Sequence, residues 1–285
     1  MLKQRVITAL VLLFILLPAL FYQDPWPFCL IALVFVAGAC WEWARVNGFS
    51  DGVALFAGGV SALACAGLWM YQLHQADLKP LWMASGLMWV LGGAWVLWRG
   101  VAAWTAYPKA LRLGIGLVGL CTTWLAIAQA KVIGTNFLLS VLALVWVADI
   151  AAYFAGRTFG GHFIRRKLAA SISPGKSWEG ALGGAASVVV MAFVWRQVDQ
   201  NWALASPSLY SRVSLQGTIV LVGVSLFMAS MSVLGDLFES LVKRSAGVKD
   251  SSSLLPGHGG VLDRIDALLP TLPLAMLFYS SWKNG

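Results

Sequence analysis

The sequence predicts an all-α polytopic membrane protein with about nine transmembrane helices. Of its 285 residues, 59% are hydrophobic and 11% are charged, whereas a soluble globular domain has about half and about a quarter. The 15 tryptophans agree with this class, because the amphipathic indole ring is enriched where the bilayer meets water. Long apolar runs that do not alternate with polar residues exclude an outer-membrane β-barrel. The composition also excludes a soluble enzyme.

Nine apolar runs are long enough for a helix that crosses about 30 Å of hydrocarbon. They lie at about 6–22, 26–44, 52–72, 81–98, 111–129, 135–155, 180–196, 217–235 and 262–281. Lys3 and Arg5 precede the first run as they would in a signal peptide, but no small-residue cleavage site follows it, so we expect a retained anchor. The four cysteines lie inside apolar runs, and we predict neither a disulfide nor a zinc site.

The distribution of basic residues predicts the orientation of the chain. With a cytoplasmic N-terminus, 15 of the 20 Lys and Arg fall on the cytoplasmic side, as the positive-inside rule requires. The five on the opposite side are Lys79, Lys131, Arg196, Arg212 and Lys283. The same rule explains the net charge of +8, so we predict no nucleic-acid partner. The C-terminus is expected on the outer side.

Two long polar segments on the predicted cytoplasmic side, 156–179 and 236–261, are candidates for function. Loops longer than about 12–15 residues are usually functional or disordered, and both segments contain Gly, Pro and His beside charged residues rather than a low-complexity run. We therefore divide the chain into a scaffold of about five spans, residues 1–133, and a catalytic region, residues 134–285. The catalytic region has about four spans and both cytoplasmic loops.

Most of the acidic residues cluster in or beside these two loops. They are Asp149, Glu179, Asp236, Glu239, Asp250, Asp263 and Asp266. Asp236 and Glu239 are three residues apart, as are Asp263 and Asp266, so each pair faces one side of a helix. Carboxylate oxygens suit Mg²⁺, which binds through one or two carboxylates together with substrate phosphates. We predict that Asp236, Asp263 and Asp266 bind Mg²⁺.

Basic residues lie among these acids and can bind phosphate oxygens. They are Lys243, Arg244, Lys249 and Arg264. Acidic pairs with interleaved basic residues are typical of phosphoryl or nucleotidyl transfer. The alternative is ion pairing at a membrane surface, such as Glu239 with Lys243 four residues on. Asp149 lies inside an apolar run, and a charge at membrane depth indicates a functional site.

Two loop features can bind anions. His258 lies in the glycine turn PGHGG, where successive backbone N–H groups can form an anion-binding nest. The segment 170–177, ASISPGKS, matches a relaxed phosphate-loop pattern, but no buried strand precedes it, so we do not predict a P-loop fold. Ser177 can still cap a helix that begins at Trp178, and Lys176 can bind a phosphate there.

Several of these motifs together resemble those of one family. Residues 240–266, SLVKRSAGVKDSSSLLPGHGGVLDRID, are similar at almost every position to the signature of the phosphatidate cytidylyltransferases, also called CDP-diacylglycerol synthases. Further motifs follow in the family's order: DIAAYFAGRTFG from Asp149, SPGKSWEG from Ser173 and GDLFES from Gly235. The segment CWEWARVNGF around Glu42 is also similar to a family feature. Small departures, such as Ser252 where Gly is common, remove no carboxylate or base.

The resemblance implies that CTP and phosphatidate react to give CDP-diacylglycerol and pyrophosphate, with Mg²⁺ as cofactor. On this reading the catalytic residues are Asp236, Asp263, Lys243, Arg264 and His258. The substrate-binding residues are Ser173, Lys176, Ser177, Arg244, Lys249, Asp250, Gly259, Gly260 and Asp149. The resemblance also implies a homodimer in the bacterial inner membrane, with its active site facing the cytoplasm.

Two other hypotheses remain open at this stage. The first is an ion-coupled transporter that uses the acidic cluster, although such sites usually lie near the bilayer midplane between related repeats. The second is a lipid enzyme that uses a different nucleotide or a lipid alcohol. Nothing in the composition distinguishes cytosine from another base, so the assignment of CTP depends on the resemblance.

Overall fold

The computed structural model describes residues 2–202 and 204–282, which form helices and loops without a β-strand. In chain order the helices are α1 (Leu2–Phe21), α2 (Trp26–Val46), α3 (Asp51–Met70), α4 (Lys79–Leu87), α5 (Ala94–Arg99), α6 (Val101–Ala106), α7 (Lys109–Ile133), α8 (Thr135–Phe159), α9 (Trp178–Trp202), α10 (Leu209–Ser214), α11 (Thr218–Ser245), α12 (Leu262–Ile265) and α13 (Leu268–Ser281). A π-helical turn, Met88–Gly93, makes α4 and α5 one continuous helix. The predicted all-α polytopic membrane fold is confirmed; Lys283, used in the charge count, lies outside the described residues.

Eight helices among the described residues are long and apolar enough to cross a membrane, and they coincide with the first eight predicted runs. The ninth predicted span, 262–281, is divided into the four-residue α12 and the 14-residue α13. The backbone N–H of Leu262 donates to Glu42 near the end of α2, whereas Tyr279 shares a cavity with His74 beyond the end of α3. α12 and α13 together therefore extend from one end of the helix bundle to the other.

The two loops that we predicted to be functional are shorter than expected, because the helices before them continue further. α8 extends to Phe159 and α11 to Ser245, so the loops comprise 160–177 and 246–261. This corrects the predicted loop starts at 156 and 236. The buried apolar face of α11 continues through Phe238 and Val242, and this burial keeps the charged segment helical.

An aromatic cluster attaches α11 to the first half of the chain. Phe238 stacks on Trp43 of α2, with ring centroids 6.1 Å apart. Trp89 of the π-helical turn and Trp104 of α6 meet the same ring edge-on, at 5.3 and 5.4 Å. These three tryptophans are buried, so part of the tryptophan content serves helix packing rather than the bilayer interface.

α8 and α9 pack closely because small residues line both surfaces. A Cβ on Gly180 would lie 2.8 Å from the carbonyl oxygen of Ala152, and one on Gly184 would lie 2.7 Å from that of Ala148. Small residues allow helix backbones to approach closely in membranes. This close approach brings Asp149 on α8 near the loop that leads into α9.

We expect Gly184→Ala to destabilise the protein, because the new methyl group would collide with a backbone carbonyl. Overpacking of this kind costs about 1–3 kcal/mol, which should lower the unfolding temperature of the detergent-purified protein by several degrees. Gly223→Ala on α11 is the matched control, since nothing lies within 4 Å of its new Cβ. Equal unfolding temperatures for both variants would contradict the described α8–α9 packing.

Candidate active site

A cavity of about 350 Å³ between α8, α9 and α11, here called the inter-helix cavity, contains Asp149, Lys176 and Asp236. Asp149 lies ten residues before the end of α8, and Asp236 lies nine residues before the end of α11. At a rise of 1.5 Å per residue, both are about 14–15 Å inside the helix ends. The cavity is therefore recessed, and four of the predicted site residues line it: Asp149, Lys176, Ser177 and Asp236.

Lysines neutralise part of the acidic cluster. Lys176 Nζ, from the loop before α9, contacts Asp236 Oδ2 across the inter-helix cavity. Lys243 Nζ lies 2.6 Å from Asp263 Oδ1 and 2.5 Å from Glu239 Oε2. We predicted from the sequence that Lys176 and Lys243 bind phosphates. In the structure each is paired with a carboxylate.

The cluster retains an excess of negative charge. Its carboxylates are Asp149, Asp236, Glu239, Asp263 and Asp266, and the charge of Asp266 interacts with those of Asp236 and Asp149. In the described part of the chain, Oε2 of buried Glu239 meets Lys243, whereas Oε1 has no hydrogen-bond partner. Five carboxyl groups thus surround two ammonium groups, and a cation would relieve the repulsion between the acids.

The described residues contain no group of three or more His, Cys, Asp or Glu side chains positioned to hold a metal ion. Among the predicted ligands, Asp236 is paired with Lys176 and Asp263 with Lys243. The donor chemistry nevertheless fits Mg²⁺, because the cluster supplies hard oxygen atoms and carries uncompensated negative charge. The predicted magnesium site therefore stays a prediction, supported by donor type and charge.

Asp263 closes the loop 246–261 against the start of α12. Its Oδ2 accepts hydrogen bonds from the backbone N–H of Gly260 at 2.8 Å and from Ser251 Oγ at 3.0 Å. A Cβ on Gly259, which has φ of +86°, would lie 2.8 Å from the same oxygen. The glycine turn that we predicted to be an anion-binding nest is thus packed around the carboxylate of Asp263.

Glu42 on α2, to which the sequence analysis gave no site role, anchors the same loop. This fully buried carboxylate accepts from the backbone N–H groups of Val261 at 3.0 Å and Leu262 at 2.6 Å, and from the hydroxyl of Ser252. A Cβ on Gly260 would lie 2.5 Å from Glu42 Oε1. The sequence did contain a signal for this role, because Glu42 is a lone acid inside an apolar run. The same pattern identified Asp149.

Glu179 anchors the other loop in the same way. Its Oε1 accepts from the backbone N–H groups of Gly161, Phe163 and Ile164 at 3.1, 3.1 and 2.8 Å. Ser177 caps α9 as predicted, because its Oγ accepts from the backbone N–H of Gly180 at 3.1 Å. The carboxylate and the cap together fix the loop that carries Lys176.

Arg244 and Arg264 contact backbone carbonyls. Arg244 Nε donates to Ile172 in the first loop at 3.2 Å, and its Nη1 donates to Val248 in the second at 3.1 Å. Arg244 therefore joins the two loops. Arg264 Nε donates to the carbonyl oxygen of His258 at 3.1 Å.

The remaining predicted residues lie apart from the inter-helix cavity. Lys249 and Asp250 have exposed side chains, Ser173 lies in the bend before Lys176, and His258 is partly buried. In the described residues none of these four lines the inter-helix cavity. Their assigned roles in catalysis and binding stay predictions.

Comparison with known proteins finds one family. Its model, the cytidylyltransferase family, matches residues 3–282. A phosphatidate cytidylyltransferase of Pseudomonas aeruginosa is 40% identical over 290 residues, covering 99% of each chain. A protein of the same name from Haemophilus influenzae is 35% identical, and the match covers 98% of this chain and 99% of the relative. One from Brucella melitensis is 34% identical, and the match covers 97% of this chain and 93% of the relative.

Glu42→Gln should destabilise the loop 246–261. The amide nitrogen of glutamine cannot accept a hydrogen bond, so the donors that now meet one oxygen of the carboxylate would lose their acceptor. Hydrogen bonds to a charged group contribute about 1.5–3 kcal/mol to stability. We expect a lower unfolding temperature and faster proteolytic cleavage within residues 246–261. Asp51→Asn is the control, since Asp51 is an exposed acid near the same end of α2. Unchanged cleavage in Glu42→Gln would contradict this anchoring role.

Proposed function

The chain belongs to the cytidylyltransferase family, and from this premise we propose that it transfers the cytidylyl group of CTP to phosphatidate. A phosphate oxygen of phosphatidate forms a bond to the α-phosphorus of CTP, and the bond from that phosphorus to the β-phosphate breaks. The products are CDP-diacylglycerol and pyrophosphate. The observation that carries the proposal is the Lys176–Asp236 pair inside a recessed cavity between helices. Membership of an enzyme family argues against the transporter hypothesis.

The inter-helix cavity suits a lipid headgroup. Tyr153 and Arg157 of α8 line it, and large apolar side chains on the same helix, such as Phe154, are exposed where the bilayer would contact them. Acyl chains can lie along this apolar surface while the phosphate reaches into the recess. We propose that Lys176 and Arg157 bind the phosphate of phosphatidate.

The reaction needs positioning and charge neutralisation more than a strong base. The attacking phosphate oxygen is already anionic near neutral pH, so catalysis depends on aligning it with CTP and stabilising the charge that develops. Lys176 and Lys243 supply positive charge beside the carboxylates. Asp236, Asp263 and Asp266 would hold Mg²⁺, which when bound neutralises charge on phosphate oxygens.

We propose the bacterial inner membrane as the location, with the site facing the cytoplasm. The relatives are bacterial, and the helix ends next to the loop 246–261 carry Arg45, Lys109 and Arg112. At the opposite end Lys131 Nζ is held by the carbonyl oxygens of Leu20 and Tyr22. This asymmetry supports the positive-inside orientation. The homodimer stays a prediction.

The first test is product formation by the purified full-length protein with phosphatidate, Mg²⁺ and each of the four nucleoside triphosphates. We expect CDP-diacylglycerol from CTP and no product from the other three. Asp236→Asn should lower the rate about a hundredfold or more, because it removes a charge at the reacting phosphates. Asp24→Asn, an exposed acid between α1 and α2, is the control. A near-normal rate for Asp236→Asn would contradict its catalytic role.

Removal of divalent cations should abolish turnover. After chelation with EDTA we expect no CDP-diacylglycerol, and added Mg²⁺ should restore the rate in the wild-type protein, because charge on the phosphates is again neutralised. Asp24→Asn should be restored in the same way, whereas Asp236→Asn should stay slow. Full activity in EDTA would contradict the magnesium proposal.

A further inference from the structure

A second and larger cavity, of about 900 Å³, lies where the helices end. The last turn of α2, the first turn of α7 and the end of α11 surround it, together with the loop 246–261; we call it the helix-end cavity. Three cations line it: Arg45, Lys109 and Arg112. No Asp or Glu belongs to its lining among the described residues. The helix-end cavity is therefore strongly positive, whereas the acidic cluster beside it is negative.

Among the described residues, no hydrogen bond or ion pair of its side chain explains the burial of Arg112. Its side chain is 8% exposed, and its Nε is buried without a hydrogen-bond partner in the described part of the chain. A buried, unpartnered charged donor is costly, so its presence in a cavity wall indicates that a ligand supplies the acceptor. Lys109 Nζ reaches the carbonyl oxygen of Gly48 at 3.2 Å, and Arg45 Nε lies 3.0 Å from exposed Asp51. Lys109 meets only a carbonyl oxygen, which leaves its charge available, and the acid that pairs with Arg45 is exposed and does not line the cavity.

The helix-end cavity adjoins the acidic cluster through one side chain. Ser251 lines the cavity, and its Oγ lies 3.0 Å from Asp263 Oδ2 and 3.3 Å from Glu42 Oε2. A ligand held by the three cations would therefore lie beside Asp263 and Lys243. That is the position needed by a substrate whose phosphorus must meet the acidic cluster.

We propose that the helix-end cavity binds the phosphates of the nucleotide substrate, with Arg112, Lys109 and Arg45 as the binding cations. The inference rests on the proposed function and specifies where its soluble substrate binds. The position of the cavity favours a nucleotide over a lipid, because helix ends and loops meet water while the inter-helix cavity lies deeper among apolar helix faces. Arginine and lysine are the usual partners of phosphate oxygens.

The test compares Michaelis constants for the two substrates in the full-length protein. Arg112→Gln should raise the KM for CTP about tenfold or more, and Lys109→Gln several-fold, because each removes a charged hydrogen-bond donor. The KM for phosphatidate should change by less than about twofold. Arg99→Gln is the matched control: Arg99 is exposed, packs on Trp95 and does not line the helix-end cavity, yet its loss removes the same charge.

Binding of inorganic tripolyphosphate, measured by calorimetry, provides a readout that needs no turnover. We expect the wild-type protein and Arg99→Gln to bind it, and Lys109→Gln and Arg112→Gln to bind it at least about fivefold more weakly. Lys109 is exposed, so Lys109→Gln tests the proposal even where Arg112→Gln does not fold.

The outcomes separate this inference from the function on which it rests. If the wild-type protein makes CDP-diacylglycerol but both variants keep the wild-type KM for CTP, the cavity assignment is wrong and the reaction stands. A rise in the KM for phosphatidate alone would place the lipid headgroup in the helix-end cavity and overturn the inference. No product from any nucleotide with folded wild-type protein would overturn the proposed function itself.

Discussion

Two buried carboxylates that accept backbone hydrogen bonds hold the loops of this protein in place. Glu179 gathers three N–H groups of the first loop, and Glu42 gathers two at the start of α12. Backbone donors away from water need such partners, since an unpaired one costs as much as a lost hydrogen bond. The position of Lys176 depends on the first loop, and that of Asp263 on the second. The charge cluster is thus built on these anchors.

The first five spans do more than enclose the site. Consecutive residues on α2 have separate tasks: Glu42 binds the start of α12, and Trp43 stacks on Phe238 of α11. Phe238 lies between Asp236 and Glu239 in the sequence. The contacts of α2 therefore help to position the acidic residues of α11 and of α12. A division into scaffold and catalytic region describes the order of the chain, but contacts that cross it position the charged residues.

Long apolar runs predicted eight helices closely, because crossing hydrocarbon requires continuous hydrophobic length. The pairing of Lys176 with Asp236 lay beyond sequence reasoning, since it depends on how α9 packs against α11. Loop starts were misplaced because charged residues such as Lys243 can continue a helix when its other face is buried. The role of Glu42 had a signal, a lone acid in an apolar run, but identifying its partners required the packing of α2 against α12.

The two cavities lie where a substrate from water and a substrate from the bilayer would each enter the protein. α11 contributes to both: Asp236 faces the inter-helix cavity and Ser245 lines the helix-end cavity. These two residues are nine positions apart, about 14 Å along the helix, and Glu239 and Lys243 lie between them. A ligand entering from water and one entering from the bilayer would thus meet along the same stretch of α11. Lys243 supplies positive charge on that stretch, where anionic phosphates that approach from both sides would repel each other until they are neutralised.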